Sequence, residues 1–377
     1  MYLMKIYFIG QKGIPVLYGG VEKHVDDLAT SLVKRGHEVY VYARANYTDK
    51  SLKEYQGVKI INLPSIYTKH LDAITHTFLA CLDVVRRDAD IIHFQSIGPS
   101  FMILLVRILK PKAKIVSTFH CQDYHHQKWN FLAQTFLKMS EYICCKFPDQ
   151  VIVISKGLEE YADRRYKIRS VYIPNGIKIP TADYLQKIKN HPGLKQWGIS
   201  KDNYILTVSR LIPHKGIHYL IKAYQRIKTD KKLVITGGGT FTDKYVKYLK
   251  KLATGNKNII FTDVQSGEII DALYYNSYFF VQPSESEGLS IALLNAMSFS
   301  RAALVSDIIE NQEAIGNTGI TFENKNDKDL AEKIFHLLNH PEIVKAKGEA
   351  GYERVKKVYN WDNLVKEVEG VYKKIAL

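Results

Sequence analysis

The sequence predicts an α/β protein made of two Rossmann-like parallel-sheet domains, and three observations carry that expectation. Short apolar runs alternate with stretches of helical period along nearly the whole 377-residue chain, the pattern of strands and crossover helices that builds a parallel sheet. A strand, a loop and a helix open each half, first at Lys5–Gly10 and again at Tyr204–Val208. Finally, Tyr278-Phe279-Phe280-Val281 reads as a strand buried on both faces and leads into the acidic loop Pro283-Ser284-Glu285-Ser286-Glu287-Gly288-Leu289-Ser290. The length suits two domains better than one. The expected boundaries are 1–176, a linker over 177–200, a second domain over 201–360 and a terminal helix over 361–377.

In chain order, Lys5–Gly10 is the first strand, followed by a loop with Gly13-Ile14-Pro15 and Tyr18-Gly19-Gly20. A helix from Val21 carries Val25, Leu28, Ala29 and Leu32 on one face and ends at Lys34-Arg35-Gly36, with cations in its last turn and a terminating glycine. His37–Ala43 is the next strand. The strict Gly-x-Gly-x-x-Gly fingerprint and the P-loop are both absent, so a dinucleotide site is not supported. Gly19-Gly20 instead offers close backbone approach to a ligand and N–H groups at a helix start; the same residues also make a plain tight turn. Val58–Leu63 and Asp90–Gln95 are strands on either side of a helix from about Leu71 to Arg86. Phe101 to Leu109 reads as a buried helix capped by Ser100, with Lys110, Lys112 and Lys114 after it placed to meet lipid headgroups. Lys114–Phe119 is a strand ending at His120. A strand's carboxyl end is where site residues gather, so His120 is either a ligand to a sugar hydroxyl or a structural histidine. A helix over Phe131–Cys145, a strand over Gln150–Ser155, a helix beginning at Ser155-Lys156-Gly157 and the turn at Pro174-Asn175-Gly176 complete the first domain. Pro180 and Asn190-His191-Pro192-Gly193 mark the linker.

The second domain repeats the device. After the strand Tyr204–Val208 comes Ser209-Arg210-Leu211-Ile212-Pro213-His214-Lys215-Gly216. Arg210 presents a bidentate fork and Lys215 a point charge, a pair suited to a diphosphate. Leu233–Thr236 with Gly237-Gly238-Gly239, then Ile259–Asp263, continue the alternation. Leu289, Ala292, Leu293 and Ala296 recur at helical spacing, so a helix is expected to start near Gly288. Its N-terminus offers free N–H groups to a phosphate, while Glu285 and Glu287 sit where a carboxylate meets hydroxyls or a cation. The glutamates also favour a helix N-terminus in their own right.

These stretches resemble the family-four glycosyltransferases of the GT-B type, and the match covers nearly the whole chain. The family's pattern is Pro-Ser, Glu-Gly and a second Glu eight positions on. Glu287 matches the first glutamate and Asn295 replaces the second. The family's Gly-x-Pro before the next strand reads Ser300-Arg301-Ala302, and its glycine at 263 is Asp263. Arg210, Leu211 and Lys215-Gly216 match the diphosphate clamp, with Ser209 in place of Gly. Gly19-Gly20-Val21-Glu22 is similar to the loop under the transferred sugar, and Thr118-Phe119-His120 to the sugar-contacting histidine motif. Asn175-Gly176 matches a pair the family places in the interdomain cleft. The loop Cys121–Trp129 faces the acceptor in that family, which implies acceptor-side roles for Asp123, Tyr124 and Trp129. It most resembles that of bacterial rhamnosyltransferases of capsule and surface-polysaccharide pathways, departing at Cys121 and Tyr124.

The resemblance implies two facing domains with a cleft between them and a terminal helix that crosses back to the first. It implies a retaining, metal-independent transfer of a sugar from a nucleotide donor, dTDP-rhamnose or a UDP-sugar, to a glycan or a polyprenyl-diphosphate-linked acceptor. His120, Arg210, Lys215 and Glu287 carry the chemistry. Gly19, Gly20, Arg210, Lys215, Glu287, Gly288, Leu289 and Asn295 bind the donor. No cofactor and no metal are expected; His120, His125 and His126 have no clear set of partner ligands.

Composition bounds the alternatives. With 46% hydrophobic and 24% charged residues the chain is globular. The formal net charge of +15 calls for an anionic partner. A membrane surface with a lipid-diphosphate acceptor fits better than nucleic acid, for which no motif appears. No apolar run reaches the ~20 residues a membrane span needs, and Met1–Ile6 runs straight into a strand rather than a leader. The expected location is the cytoplasm, peripheral at the inner face of the plasma membrane. Cys81, Cys121, Cys144 and Cys145 read as reduced and mostly buried. Two rivals remain: a sugar-nucleotide epimerase on the same fold, and a non-catalytic partner subunit.

Overall fold

The computed structural model describes residues 3–17, 19–68, 71–122, 131–239 and 242–376. The chain forms two compact units, Met1–Asn175 with Asp362–Leu377, and Gly176–Trp361.

The first unit contains β1 (Lys5–Ile9), α1 (Gly20–Lys34), β2 (Glu38–Arg44), β3 (Glu54–Tyr55), β4 (Val58–Leu63), α2 (Leu71–Val84) and β5 (Ile91–Gln95). It continues through α3 (Ile97–Ser100), α4 (Ile103–Leu109), β6 (Ile115–Phe119), α5 (Phe131–Lys146), β7 (Gln150–Val153), α6 (Lys156–Tyr166) and β8 (Val171–Tyr172). The strand order is β3-β4-β2-β1-β5-β6-β7-β8. All neighbours are parallel except β3 and β4. Every residue of β5 and β6 is buried, as expected of central strands covered on both faces. Tyr7, Ile9, Ile92, Phe94, Ile103, Val106 and Ile115 form the core on one face.

The stretch from Phe101 to Leu109 is not one buried helix. It is a turn at Phe101 and Met102 after the end of α3, and then α4; Ser100 does not cap it, as its hydroxyl donates to the Ser96 carbonyl at 2.8 Å. Only Ile103 and Val106, one turn apart, face inward from α4. Ile108 and Leu109 are 75% and 50% exposed, because a helix this short has one inward stripe. Ser155 does cap α6, accepting from the Leu158 N–H at 3.2 Å. Cys81, Cys144 and Cys145 are buried, Cys121 half-buried, and all four are free thiols.

The second unit contains α7 (Ala182–Lys189), β9 (Tyr204–Val208), α8 (Ile217–Gln225), β10 (Lys232–Thr236), α9 (Asp243–Leu252), β11 (Ile259–Phe261) and α10 (Glu268–Asn276). Then follow β12 (Phe279–Gln282), α11 (Ile291–Ser298), β13 (Ala303–Ser306), α12 (Ile309–Ile315), β14 (Ile320–Phe322), α13 (Asp327–Asn339) and α14 (Pro341–Val358). Its six parallel strands run β11-β10-β9-β12-β13-β14. Residues 177–200 are not a bare linker. Thr181 caps α7, a 3-10 turn spans Pro192–Trp197, and the Tyr184 hydroxyl donates to Asp271 of α10 at 2.6 Å.

The last helix, α15 (Trp361–Ala376), belongs to the first unit from Asp362 onward. Tyr372 is fully buried, with its hydroxyl 2.6 Å from His93 Nδ1. Glu369, 1% exposed, accepts from Arg35 Nε at 2.6 Å and lies 2.6 Å from the Lys373 ammonium and 3.2 Å from His37 Nε2. No helix among the described residues is long and apolar enough to cross a membrane.

Candidate functional site

In each sheet the strand order reverses beside the first strand, and the carboxyl ends of the two strands at such a reversal are where open α/β sheets bind their ligands. In the second unit the reversal lies between β9 and β12. The loops that leave it are Ser209–Gly216 and Pro283–Ser290. They meet backbone to backbone. Gly216 has φ +69°, and a Cβ on it would lie 1.8 Å from the Pro283 carbonyl oxygen, so only glycine permits that approach. The Glu285 N–H donates to the His214 carbonyl at 2.8 Å. On the other side the Leu211 N–H donates to the Gly238 carbonyl at 2.8 Å, tying in the glycine turn after β10.

Within this frame Lys215 Nζ lies 2.5 Å from Glu287 Oε1, with side chains 14% and 8% exposed. The Ser284 hydroxyl donates to the same carboxylate oxygen at 2.6 Å. Behind it runs a buried polar chain. The Ser290 hydroxyl donates to Gln282 Oε1 at 2.6 Å, Gln282 Nε2 donates to Asn311 Oδ1 at 2.7 Å, and Asn311 Nδ2 donates to the Ser306 hydroxyl at 2.9 Å. The Ser306 hydroxyl in turn donates to the Ser284 carbonyl. These bonds hold the loop that presents Glu287. Arg210 is exposed and makes no ion pair among the described residues. Glu285 turns elsewhere, accepting from the Tyr219 hydroxyl at 3.2 Å and pairing with Lys325 at 3.3 Å.

The helix expected near Gly288 begins three residues later, at Ile291. Ser290 is extended and caps it, accepting from the Leu293 N–H at 3.3 Å. Leu289, 5% exposed, is anchored in the loop and not in the helix. Gly288 is half-buried. Asn295 is half-buried on the same face of α11 as Ile291, one helical turn along. Its side-chain amide makes no hydrogen bond among the described residues.

In the first unit the reversal lies between β1 and β5. A Cβ on Gly10, at φ +115°, would lie 2.5 Å from the Gln95 carbonyl oxygen, so the β1 loop rests on the end of β5. Gly19 precedes α1 and Gly20 is its first residue. Glu22 folds back, accepting from the Lys12 N–H at 3.2 Å. His120 follows β6, 5% exposed, with Nε2 2.8 Å from Gln95 Oε1. Its ring meets the edge of His24 with centroids 5.3 Å apart. Burial pulls the imidazoles of His93 and His120 well below the usual range, and that of His24 down to about 4, so these rings are neutral at pH 7. The expected acceptor-side residues Asp123, Tyr124 and Trp129, with His125 and His126, lie outside the described residues.

Sequence reasoning missed Gln95, His24 and the Gln282–Asn311 chain. Gln95 had a signal, a polar residue at the carboxyl end of a mostly apolar strand. The others depend on pairings across the sheet that no local pattern reports.

Two family models match. That of Glycosyltransferase Family 4 covers residues 18–179, and that of Glycosyl transferases group 1 covers residues 194–354. An uncharacterized glycosyltransferase of Methanocaldococcus jannaschii is 25% identical over 95% of each chain. The alpha-monoglucosyldiacylglycerol synthase of Streptococcus pneumoniae is 25% identical over 74% of this chain and 66% of its own. The solved structure of Anabaena HepE in complex with UDP and glucose matches with a TM-score of 0.80 at 18% identity, over 98% of this chain and all of the other. The first half of the chain thus matches the Glycosyltransferase Family 4 model and the second half the Glycosyl transferases group 1 model, and the chain is a hexosyltransferase of the GT-B fold.

Proposed function

We propose that the protein moves a sugar, rhamnose first, from a nucleotide diphosphate to a lipid-linked glycan acceptor in surface-polysaccharide synthesis, with retention and without a metal or other cofactor. The observation that carries the donor assignment is Arg210, without an ion pair among the described residues, on the same loop as Lys215 of the Lys215–Glu287 pair, at the reversal point of the second sheet. An ammonium has three donors, so Lys215 can keep Glu287 and still reach a phosphate oxygen. Arg210 supplies the bidentate fork, and the start of α11 its free N–H groups. Gly288 and Leu289 hold the backbone between the carboxylate and that helix. In the first unit, Gly19, Gly20 and His120 are assigned to the transferred sugar.

The bond from C1 to the diphosphate oxygen breaks, and these cations stabilise the charge that grows on the leaving oxygen. The acceptor hydroxyl oxygen bonds to C1 from the same face, and its proton passes to the departing phosphate. No protein nucleophile is required.

The amphiphilic acceptor is supported by a groove of about 510 Å³ on the first unit, lined by Pro64, Ile66, Ile74, Phe78, Leu79 and Met102. Its two hydroxyls are engaged within the protein, Ser65 with Asp72 and Thr75 with the Leu71 carbonyl and the Ile66 N–H. The name of the pneumococcal relative points the same way. Of the cations expected at a membrane surface, the Lys110 ammonium is engaged with the Arg87 carbonyl, which leaves Lys112 and Lys114 for headgroups.

The test is a donor panel of dTDP-, UDP- and GDP-sugars with a polyprenyl-diphosphate glycan, scored by mass and by NMR of the product anomer. Transfer of rhamnose from dTDP with retained configuration supports the reading. Release of an epimerised nucleotide sugar without acceptor, or nucleotide binding with no transfer from any donor, refutes it.

A further inference from the structure

We propose that Gln95 is a positioning residue that holds His120 in its neutral Nε2–H tautomer and leaves Nδ1 as a standing hydrogen-bond acceptor. The inference rests on the assignment of His120 to the donor sugar, and it decides which hydroxyl hydrogen bond that histidine can make.

Gln95 ends β5 and His120 follows the last residue of the neighbouring strand β6, where Gln95 is in register with Thr118. The two side chains therefore meet at the carboxyl edge of the first sheet, at its reversal point. Gln95 is fully buried. Its main chain is fixed on both sides: the β1 loop lies against its carbonyl at Gly10, and the next residue, Ser96, donates its N–H to the Thr118 carbonyl at 3.0 Å. A neutral imidazole carries one N–H. With Gln95 Oε1 2.8 Å from His120 Nε2, that proton belongs on Nε2, because two acceptors cannot share a bond. Nδ1 makes no hydrogen bond among the described residues. The groups facing the ring are other neutral histidines, His24 from α1 and His93 from β5. No carboxylate of the described residues is recorded against it to stabilise an imidazolium. His93 is itself saturated, 2.7 Å from the Thr118 hydroxyl and 2.6 Å from that of Tyr372, so it does not compete for Gln95. The Gln95 amide nitrogen is buried without a partner among the described residues. That leaves Gln95 a single engaged group, aimed at His120.

The consequence is a polarity. His120 accepts a hydrogen from a sugar hydroxyl and does not donate one. A donor analogue with fluorine or a methoxy group in place of that hydroxyl has nothing to give it.

The experiment is long-range ¹H–¹⁵N NMR of the histidine-labelled full chain, natural and with Gln95→Met or Gln95→Glu, beside turnover of dTDP-rhamnose. In the natural protein His120 is expected as the Nε2–H tautomer at pH 7. In Gln95→Met the ring nitrogens shift toward a tautomer mixture and turnover falls about 10-fold, the scale of one lost hydrogen bond. In Gln95→Glu the new carboxylate draws a second proton onto the ring, and both nitrogens report imidazolium. An Nδ1–H tautomer in the natural protein overturns the proposal, as does an unchanged His120 spectrum in folded Gln95→Met. If Gln95→Met does not fold, the natural spectrum and Gln95→Glu still decide. The spectra need no substrate, so failure of the donor assignment shows separately, as absent turnover with the tautomer intact.

Discussion

Removing Lys215 is expected to damage the fold of the second unit as well as nucleotide binding. Glu287 is 8% exposed and loses its cation partner in Lys215→Met, keeping, among the described residues, the Ser284 hydroxyl. Breaking a buried pair from one side costs about 3–5 kcal/mol when the other charge is left uncompensated. The surviving hydroxyl bond and the slight exposure place this site at the lower end, about 2–3 kcal/mol. For a domain of this size that is a fall of about 5–10 °C in melting temperature. Glu287→Gln in the Lys215→Met background removes the stranded charge while keeping the Ser284 bond, and should restore most of the loss. The assay is differential scanning calorimetry of the natural protein, both single variants and the double variant, each with and without dTDP. The nucleotide should raise the melting temperature of the natural protein and not that of Lys215→Met, since an anion cannot compensate a carboxylate. Equal melting temperatures for Lys215→Met and the double variant would refute the reasoning, because the loss would then come from packing and not from charge.

Arg210→Ala should behave differently, with an unchanged melting temperature because Arg210 is exposed and makes no ion pair among the described residues, and turnover cut by ~100-fold or more, the scale of losing one stabiliser of developing charge. Asn295 offers one acceptor oxygen where the family's glutamate offers two, so competition titration should rank dTDP above UDP and GDP, and Asn295→Glu should shift preference toward the ribonucleotides; tighter UDP or GDP on the natural protein contradicts this. Burial raises the Glu369 carboxyl, and hydrogen bonds from Lys373, Arg35 and His37 overcome that and bring it down to about 2. Its contribution is therefore full above the unfolded value near 4.5 and lost as pH falls toward 2, on the order of 3 kcal/mol in all, so Glu369→Gln should flatten acid unfolding between pH 5 and 2. Ser300→Gly should stabilise by about 0.5–1 kcal/mol, the left-handed penalty less the added chain entropy of glycine, measured by urea unfolding.

The alternation that marks parallel sheets was readable because β5, β6 and β12 are buried on both faces and each opens with an uninterrupted apolar pair or triplet. The loops that leave the two reversal points were readable for the same reason, as breaks in that pattern. Strand order was not, since neighbours such as β9 and β12 are 70 residues apart and pair through backbone alone. The start of α11 was misplaced because Leu289 continues the helical period from inside an extended loop, and periodicity cannot tell an anchored loop leucine from a helical one. The segment 177–200 was read as a linker from its prolines, although Thr181 with Leu185 and Ile188 already spelled a capped helix. Arg210, Lys215 and Glu287 were visible as charges. That Lys215 and Glu287 neutralise one another was not.

The departures from the family's pattern differ in kind, and the difference bears on whether this chain is a decayed copy. Ser300 has φ +56°, and its N–H bonds to the Met297 carbonyl while that of Arg301 bonds to the Ala296 carbonyl, both at 3.0 Å. That is a Schellman ending to α11 with serine where glycine is preferred. Asp263 likewise keeps a left-handed turn, at φ +54°, which aspartate tolerates better than most residues, and its carbonyl still accepts from Gly237 at 2.9 Å. Arg301 donates to the Ser277 carbonyl at 2.8 Å and lies 3.4 Å from Asp202, both of which precede strands and so lie at the sheet's amino edge, away from Lys215 and Glu287. The backbone that the glycines serve in the family is thus kept without them. Ser209 spends its hydroxyl on the Arg210 carbonyl at 3.2 Å. The Asn295, Asp263 and Ser300 side chains make no hydrogen bond among the described residues, and of the three only Asn295 lies within α11, half-buried. Each member of the buried polar chain behind Glu287 would cost about 1–3 kcal/mol if left unpaired. That chain is complete from Ser290 to Ser284. The departures therefore leave in place both the backbone of these turns and the bonds that hold the Glu287 loop.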